Sequence, residues 1–143
     1  MEATRPTRCL TAAAALRAVA AAVAHAEALG VRVNACVADA GGHPIAFLRG
    51  DGAFLPSGGI ARDKAATAAG FGAPSGALYD ALASEPAVLA GIGKRAGVAL
   101  FPGGLPIRVG DEVIGGIGVS GASADQDEAC ARAGLAAIGL GDA

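Results

Sequence analysis

The fold is decided by three runs of sequence, which read Gly103-Gly104-Leu105-Pro106-Ile107-Arg108, Val113-Ile114-Gly115-Gly116-Ile117-Gly118-Val119-Ser120-Gly121 and Gln126-Asp127-Glu128. The mixture of apolar residues and glycines from Val113 to Val119 predicts a buried strand that another backbone, a cofactor or a substrate approaches closely. A second strand is predicted over Pro106–Val109, joined to the first by Gly110-Asp111. The stretch therefore predicts a strand pair with a glycine surface, which is typical of a binding site.

Ser123 predicts the start of the last helix, from about Ala124 to Ile138, with Gln126 as its partner in a capping box. Asp127 and Glu128 would complement the positive end of the helix dipole. The spacing favours this electrostatic role. A second role stays open, because an Asp127 carboxyl held against an apolar wall could act as a general base.

Composition predicts one domain over residues 1–143. Hydrophobic residues make up 53% of the chain and aromatic residues only 3%, so the core must be built from Ala, Val, Leu and Ile. Because a small domain this apolar cannot cover all of its apolar surface, we expect a homo-oligomer. The net charge of −2 and the few aromatic residues argue against nucleic acid as a partner.

The cysteines Cys9, Cys36 and Cys130 are odd in number and widely spaced, which predicts buried thiols rather than disulfides or a zinc site. The alanine-rich run near the N-terminus carries charged residues and ends at Gly30, so it is interpreted as a domain helix rather than a secretion signal. No segment is long and apolar enough to span a membrane. We therefore expect a cytoplasmic protein with no membrane partner.

The order of predicted elements indicates an α/β class. Helices are predicted at about residues 10–29, 57–70, 75–83, 86–92 and 124–138. Strands are predicted at Val31–Ala40, His43–Arg49, Val98–Phe101, Pro106–Val109 and Val113–Val119. Hairpin-length connections favour a five-stranded, mainly antiparallel sheet with helices packed on it.

Several motifs, in this order along the chain, resemble the GlcG/HbpS family, also called the DUF336 or PduO C-terminal-like family. They are Val37-Ala38-Asp39-Ala40-Gly41-Gly42, Arg49-Gly50-Asp51-Gly52-Ala53, Ile60-Ala61 with Lys64-Ala65-Ala66-Thr67-Ala68, Gly103-Gly104-Leu105-Pro106, Gly115 to Gly121 and Gln126-Asp127-Glu128. The resemblance covers essentially the whole chain. It implies a profilin-like α/β fold, symmetric homo-oligomers and a domain that binds haem or a corrinoid, with an enzymatic role possible in some operons.

His25 is the candidate ligand for a haem iron, because its place on the N-terminal helix is similar to that of the haem-ligating histidine in the PduO-like branch. Neutral imidazole is a suitable axial ligand, and a flat macrocycle could lie against a face of small residues. The residues expected to share this face are Ala14, Ala18, Ala21 and Leu29. The alternative is an ordinary histidine at the surface or at an oligomer interface. His43, at a hairpin turn, is expected to be solvent-exposed.

A second group of candidates surrounds the predicted second helix. Arg49 ends a strand, Asp51 follows in the loop and Lys64 lies on the helix, so the three could converge at one sheet edge near the glycine-rich strand. Arg49 and Lys64 would bind a carboxylate, such as a haem propionate or a substrate acid. Equally, Asp51 could pair with either cation and fix the loop. Gly103 and Gly104, from the family motif, complete the candidate cofactor-binding residues.

Two functions from different classes follow. The first is a homo-oligomeric small-ligand-binding protein that holds haem or a related tetrapyrrole. The alternative is an enzyme without a cofactor, of the isomerase, cyclase or lyase type, that acts on a small carboxylate or aromatic metabolite. Its catalytic groups would be Lys64, Asp51 and Asp127. The glycine-rich run matches neither a serine nucleophile elbow nor a dinucleotide fingerprint.

Overall fold

Four antiparallel strands organise residues 1–141, the part of the chain that this computed structural model describes. They are β1 (Asn34–Asp39), β2 (Pro44–Arg49), β3 (Gly104–Val109) and β4 (Glu112–Ser120), and they lie in the order β2-β1-β4-β3. The helices are α1 (Ala12–Ala28), α2 (Pro56–Phe71), α3 (Ser75–Leu82), α4 (Pro86–Gly93) and α5 (Ala124–Ala137). The predicted α/β class with an antiparallel sheet is confirmed.

The prediction of a fifth strand, over Val98–Phe101, is wrong. This segment is apolar like a strand, but its backbone forms hydrogen bonds with side-chain hydroxyls rather than with a neighbouring strand. The Ala99 N–H donates to Thr67 Oγ1 at 3.0 Å, and the Phe101 carbonyl accepts from Ser75 Oγ at 2.7 Å. Since buried backbone groups need only one partner each, the segment is satisfied without entering the sheet.

The helices cover the sheet unequally. On one face, α1 and α5 pack together over Val33, over Ala35 and Val37 of β1, and over Ile114, Ile117 and Val119 of β4. On the opposite face, α2 lies across β1, β4 and β3, with its alanines against Cys36 and Ala38. Alternation along a strand sends successive side chains to opposite faces, so each strand contributes to both layers.

The glycine surface of β4 accommodates α2. A Cβ atom added at Gly118 would overlap the carbonyl oxygen of Ala61, and one added at Gly116 would overlap that of Ala65. Only glycine allows the helix backbone to lie this close to the strand. The close approach expected for this strand is therefore made by a helix of the same chain.

The residues at the N-termini of α5 and α2 differ in how they begin their helices. The capping box at Ser123 is confirmed, since its hydroxyl accepts from the Gln126 N–H and the Gln126 side chain accepts from the Ser123 N–H. Ser57 lies inside α2 and caps nothing, because the helix begins at Pro56, a residue that suits the first turn. Cys36 and Cys130 are buried as predicted. Cys9 is exposed, because it precedes α1 outside the core.

Candidate functional site

Lys64 is the most deeply buried charged side chain near the glycine surface. It leaves α2 towards the end of β4, where Nζ donates to the Val119 carbonyl at 2.8 Å and to Asp127 Oδ2 at 3.0 Å. The third direction of the ammonium group is covered by the ring of Phe101, whose centroid lies 5.0 Å from Nζ. Only 1% of the Lys64 side chain is exposed.

Asp127 is the partner of this lysine, and the capping box of α5 positions it. Oδ1 accepts the Ala122 N–H at 3.0 Å while Oδ2 faces Lys64, and 4% of the side chain is exposed. Burial raises the pKa of Asp127, and the Ala122 N–H and Lys64 lower it. Burial lowers the pKa of Lys64, and Asp127 opposes that shift.

The Lys64–Asp127 ion pair ties three elements together. It links α2 to the end of β4 and to the first turn of α5, although the two residues are 63 positions apart. Every hydrogen of the ammonium faces a carbonyl, a carboxylate or an aromatic ring, and both carboxylate oxygens accept hydrogen bonds. The geometry is that of a satisfied structural pair, in which every polar side-chain atom of both groups already has a partner.

Gly103 and Gly104 lie beside this pair. The Gly103 carbonyl accepts the Val119 N–H at 2.9 Å, and the Gly104 N–H donates to Ser75 Oγ at 2.8 Å. A Cβ atom on Gly104 would overlap the backbone carbonyl of Lys64. Among the predicted site residues, the structure brings Lys64, Asp127, Gly103 and Gly104 together, and an added Cβ atom on either glycine would overlap Lys64.

Arg49 does not join this group. It lines a cavity of about 470 Å³ between β2 and the first turns of α2. We call this space the arginine cavity, defined by its lining residues Asn34, Phe47, Arg49, Leu55, Gly58, Gly59 and Arg62. The Arg62 guanidinium lies over the Phe47 ring, with Cζ 4.9 Å from the centroid. Two cations and no carboxylate line this space.

Asn34 forms the deepest part of the arginine cavity wall. Its Nδ2 donates to Ser57 Oγ at 2.7 Å, and that hydroxyl donates to the Phe54 carbonyl at 2.7 Å, so the direction of both bonds is fixed. Asn34 is 1% exposed. Within residues 1–141, its Oδ1 is the one buried side-chain nitrogen or oxygen that has no hydrogen-bond partner.

Asp51 lies in a different depression. It lines a cavity of about 420 Å³ together with Glu27 and Arg32, which are absent from the lining of the arginine cavity. The structure therefore does not bring Asp51 together with Arg49 or Lys64. The three residues predicted to converge lie in three separate environments, because Arg49 remains at the β2 edge while Lys64 points inward from α2.

His25 lies on the opposite side of the sheet from α2. It is half-buried in the last turns of α1, and α1 packs on the face that α5 also covers. In the part of the chain that is described, its imidazole forms no hydrogen bond or ion pair with another side chain. His43 is exposed, as expected for the hairpin turn. The sheet separates His25 from the arginine cavity within one chain.

Sequence reasoning missed the residues that complete the arginine cavity. Asn34 carried a usable signal, since a polar amide between Val33 and Ala35 interrupts an apolar strand and must find buried partners. Arg62 carried none, because an arginine on a surface helix is ordinary. Its pairing with Phe47 depends on the packing of α2 against β2.

Comparisons with known proteins give a consistent result over nearly the whole chain. A family model described as "Haem degrading protein HbpS-like" matches residues 10–136. The crystal structure of HbpS is 38% identical, covers 94% of this chain and 93% of its own, and has a TM-score of 0.85. The Klebsiella pneumoniae DUF336 protein ORFY is 30% identical over 99% of each chain, with a TM-score of 0.90.

A third solved structure is that of a PduOC–haem complex. It is 31% identical to this chain, covers 94% of this chain and 98% of its own, and has a TM-score of 0.84. No helix within residues 1–141 has the length and hydropathy needed to cross a membrane.

Proposed function

The chain belongs to the HbpS-like family, and from that premise we propose that it is a homo-oligomeric protein that binds haem or a related tetrapyrrole, with His25 as the ligand of the iron. The observation that carries the proposal is the likeness to PduOC, a protein crystallised with haem, over 94% of this chain. Fold alone does not carry function, so the residues must also suit the group.

The surroundings of His25 suit a flat, apolar ligand. Its neighbours four positions away are Ala21 on α1, which is half-buried, and Leu29 at the C-cap of that helix, which is 45% exposed. The imidazole lines none of the cavities described above, and it has no side-chain partner of its own among the described residues. A bound haem would supply an iron centre for ligand binding or redox chemistry, and His25 would hold it through a ring nitrogen.

Exposed apolar side chains support an oligomer. Leu16 on α1 is 61% exposed, and large apolar residues on other elements are similarly open, including Phe71 and Tyr79. Side chains of this size leave water favourably when a second copy covers them. Sedimentation velocity would measure the assembly, and a monomer at all protein concentrations would contradict this part of the proposal.

Titration with hemin tests the iron ligand. We expect a Soret band that shifts on binding and saturates, and we expect His25→Ala to weaken binding by at least about tenfold, which corresponds to about 1.4 kcal/mol. His43→Ala is the matched control, since it removes the other histidine from an exposed turn and should change nothing. Equal spectra and affinities for the wild type and His25→Ala would refute the assignment of His25.

The second candidate, an enzyme without a cofactor, is favoured by one observation, the buried lysine whose pKa is lowered by burial. It has less support than ligand binding, because the pair with Asp127 uses the polar atoms that a general base would need. Asp51, the third candidate for catalysis, lines a cavity from which Lys64 is absent.

A further inference from the structure

We propose that the arginine cavity binds a small aromatic carboxylate that carries a hydroxyl group, at a site separate from the tetrapyrrole site. The inference does not rest on the proposed function, because the sheet lies between this cavity and His25. Three features of the cavity lead to it, namely its charge, its unsatisfied amide oxygen and its apolar rim.

The charge of the arginine cavity calls for an anion. Arg49 and Arg62 line one space, and neither forms an ion pair with a carboxylate anywhere in residues 1–141. Both arginines are exposed, so water screens their mutual repulsion, and two guanidinium groups that line one space favour an anion between them. Guanidinium groups match the planar geometry of a carboxylate, which they bind through paired N–H bonds.

The amide oxygen of Asn34 calls for a hydrogen-bond donor. The chain from Asn34 Nδ2 through Ser57 to the Phe54 carbonyl fixes the orientation of the amide, so Oδ1 cannot exchange places with the nitrogen. A buried acceptor without a partner is unfavourable, and ligands frequently supply the missing donor. Oδ1 has almost no accessible surface, so a ligand hydroxyl would reach it only after the lining side chains move aside. A hydroxyl would then supply the missing donor, whereas a second carboxylate would be repelled.

The remaining walls of the arginine cavity call for an aromatic body. Phe47 presents its ring, Leu55 is 82% exposed at the rim, and Gly58 and Gly59 leave open backbone between them. A volume of about 470 Å³ lies within the range of pockets that hold small metabolites. A bare inorganic anion would leave this apolar surface unused.

Isothermal titration calorimetry with 4-hydroxybenzoate and 3-hydroxybenzoate tests the proposal on the full chain. We expect at least one of them to bind with a dissociation constant below about 1 mM. Benzoate, which lacks the hydroxyl, and 4-hydroxybenzamide, which lacks the charge, should each bind several-fold more weakly. Inorganic phosphate tests for a site that accepts any anion, and binding as tight as that of the hydroxybenzoates would overturn the proposal.

Variants locate the site. Arg62→Gln and Arg49→Gln should each weaken hydroxybenzoate binding by at least about tenfold, because each removes one guanidinium from an exposed position without disturbing the core. Arg95→Gln is the matched control, since Arg95 is an exposed arginine outside the cavity. Undiminished binding by both cavity variants, or no binding by the wild type, would overturn the proposal.

Two further measurements separate this proposal from tetrapyrrole binding. His25→Ala should leave the affinity for hydroxybenzoate unchanged, whatever happens to hemin. Saturating hydroxybenzoate should not displace hemin from the wild type. Displacement would show that the arginine cavity holds the propionates of the tetrapyrrole, and the claim of a separate site would then be wrong. Absence of hemin binding with hydroxybenzoate binding retained would refute only the proposed function.

Discussion

Removing the charge of Lys64 should destabilise the protein strongly. In Lys64→Met the side chain keeps a similar length, but the carboxylate of Asp127 stays buried without its counter-charge and keeps only hydrogen bonds from backbone groups, such as the Ala122 N–H. Breaking a buried ion pair by removing one partner costs about 3–5 kcal/mol. That is a large part of the roughly 5–15 kcal/mol by which a domain is stable.

A double-mutant cycle with Asp127→Asn isolates the interaction. The double variant Lys64→Met/Asp127→Asn buries no charge, so its cost should fall below the sum of the single costs by about 1–3 kcal/mol. Glu128→Gln is the matched control on the same helix. Its carboxylate lies 3.6 Å from Arg132 in a pair that is open to solvent, so its loss should cost less than about 0.5 kcal/mol.

The pH dependence of Lys64→Met gives an independent check. Without the ammonium, burial leaves the folded-state pKa of Asp127 above its ordinary 3.8. A carboxyl with a raised folded-state pKa stabilises the fold fully below its unfolded-state pKa, and that contribution is lost as the pH rises through the folded-state value. The cost of Lys64→Met should therefore be smaller at about pH 5 than at about pH 8.

Urea unfolding followed by circular dichroism measures these differences. Protein concentration must be the same for every variant, because association contributes to apparent stability. If Lys64→Met were as stable as the wild type, or if the two single costs simply added, the pair would not hold α2, β4 and α5 together. Lys64 would then be free for chemistry, as the enzyme alternative requires.

Two other predictions concern the core. Gly118→Ala should lower the free energy of unfolding by about 1–3 kcal/mol or prevent folding, because its Cβ would overlap the Ala61 carbonyl. Gly70→Ala is the control, since nothing lies within 4 Å of the added Cβ, and in the same unfolding assay it should be neutral or stabilising by up to about 1 kcal/mol. Burial raises the pKa of the Cys36 thiol from 9.0 to about 11, so its contribution to stability is complete below pH 9 and should fall by about 1.4 kcal/mol at pH 10. Burial also raises the pKa of the Cys130 thiol to about 11, so Cys36→Ala should keep the decline that Cys130 contributes and lose only the part that Cys36 contributes. Cys9→Ala should retain both parts, and equal pH profiles for the two variants would contradict the burial argument.

The parts of the fold that the sequence predicts correctly are those encoded within a few residues. The capping box at Ser123 depends on a partner three positions away, and the β4 strand on its own pattern of glycine and β-branched residues. Val98–Phe101 has the same kind of local pattern, yet hydroxyls from Thr67 and Ser75 take its hydrogen bonds. Local periodicity cannot distinguish these outcomes, because the competing partners come from distant helices.

The candidate site shows the same limit. The lysine and aspartate were both identified as chemically interesting, but their pairing depends on how α2 and α5 approach the end of β4. The prediction that Arg49, Asp51 and Lys64 converge assumes that residues close in sequence are also close in space. Side chains on a strand end, a loop and a helix can point in three different directions, and only the packing of these elements on the sheet determines those directions.

The angle between Arg62 and Lys64 around α2 explains why these two cationic residues have different roles. Arg62 and Lys64 are two residues apart, which places them about 200° apart around the helix. Because the glycines of β4 allow α2 to pack closely on the sheet, one of these side chains must point inward and the other outward. Lys64 therefore requires a buried counter-charge, which Asp127 supplies, whereas Arg62 remains at the rim beside Arg49 with no carboxylate partner in residues 1–141. The same close packing that turns Lys64 into a structural residue thus leaves Arg62 available to bind an anion.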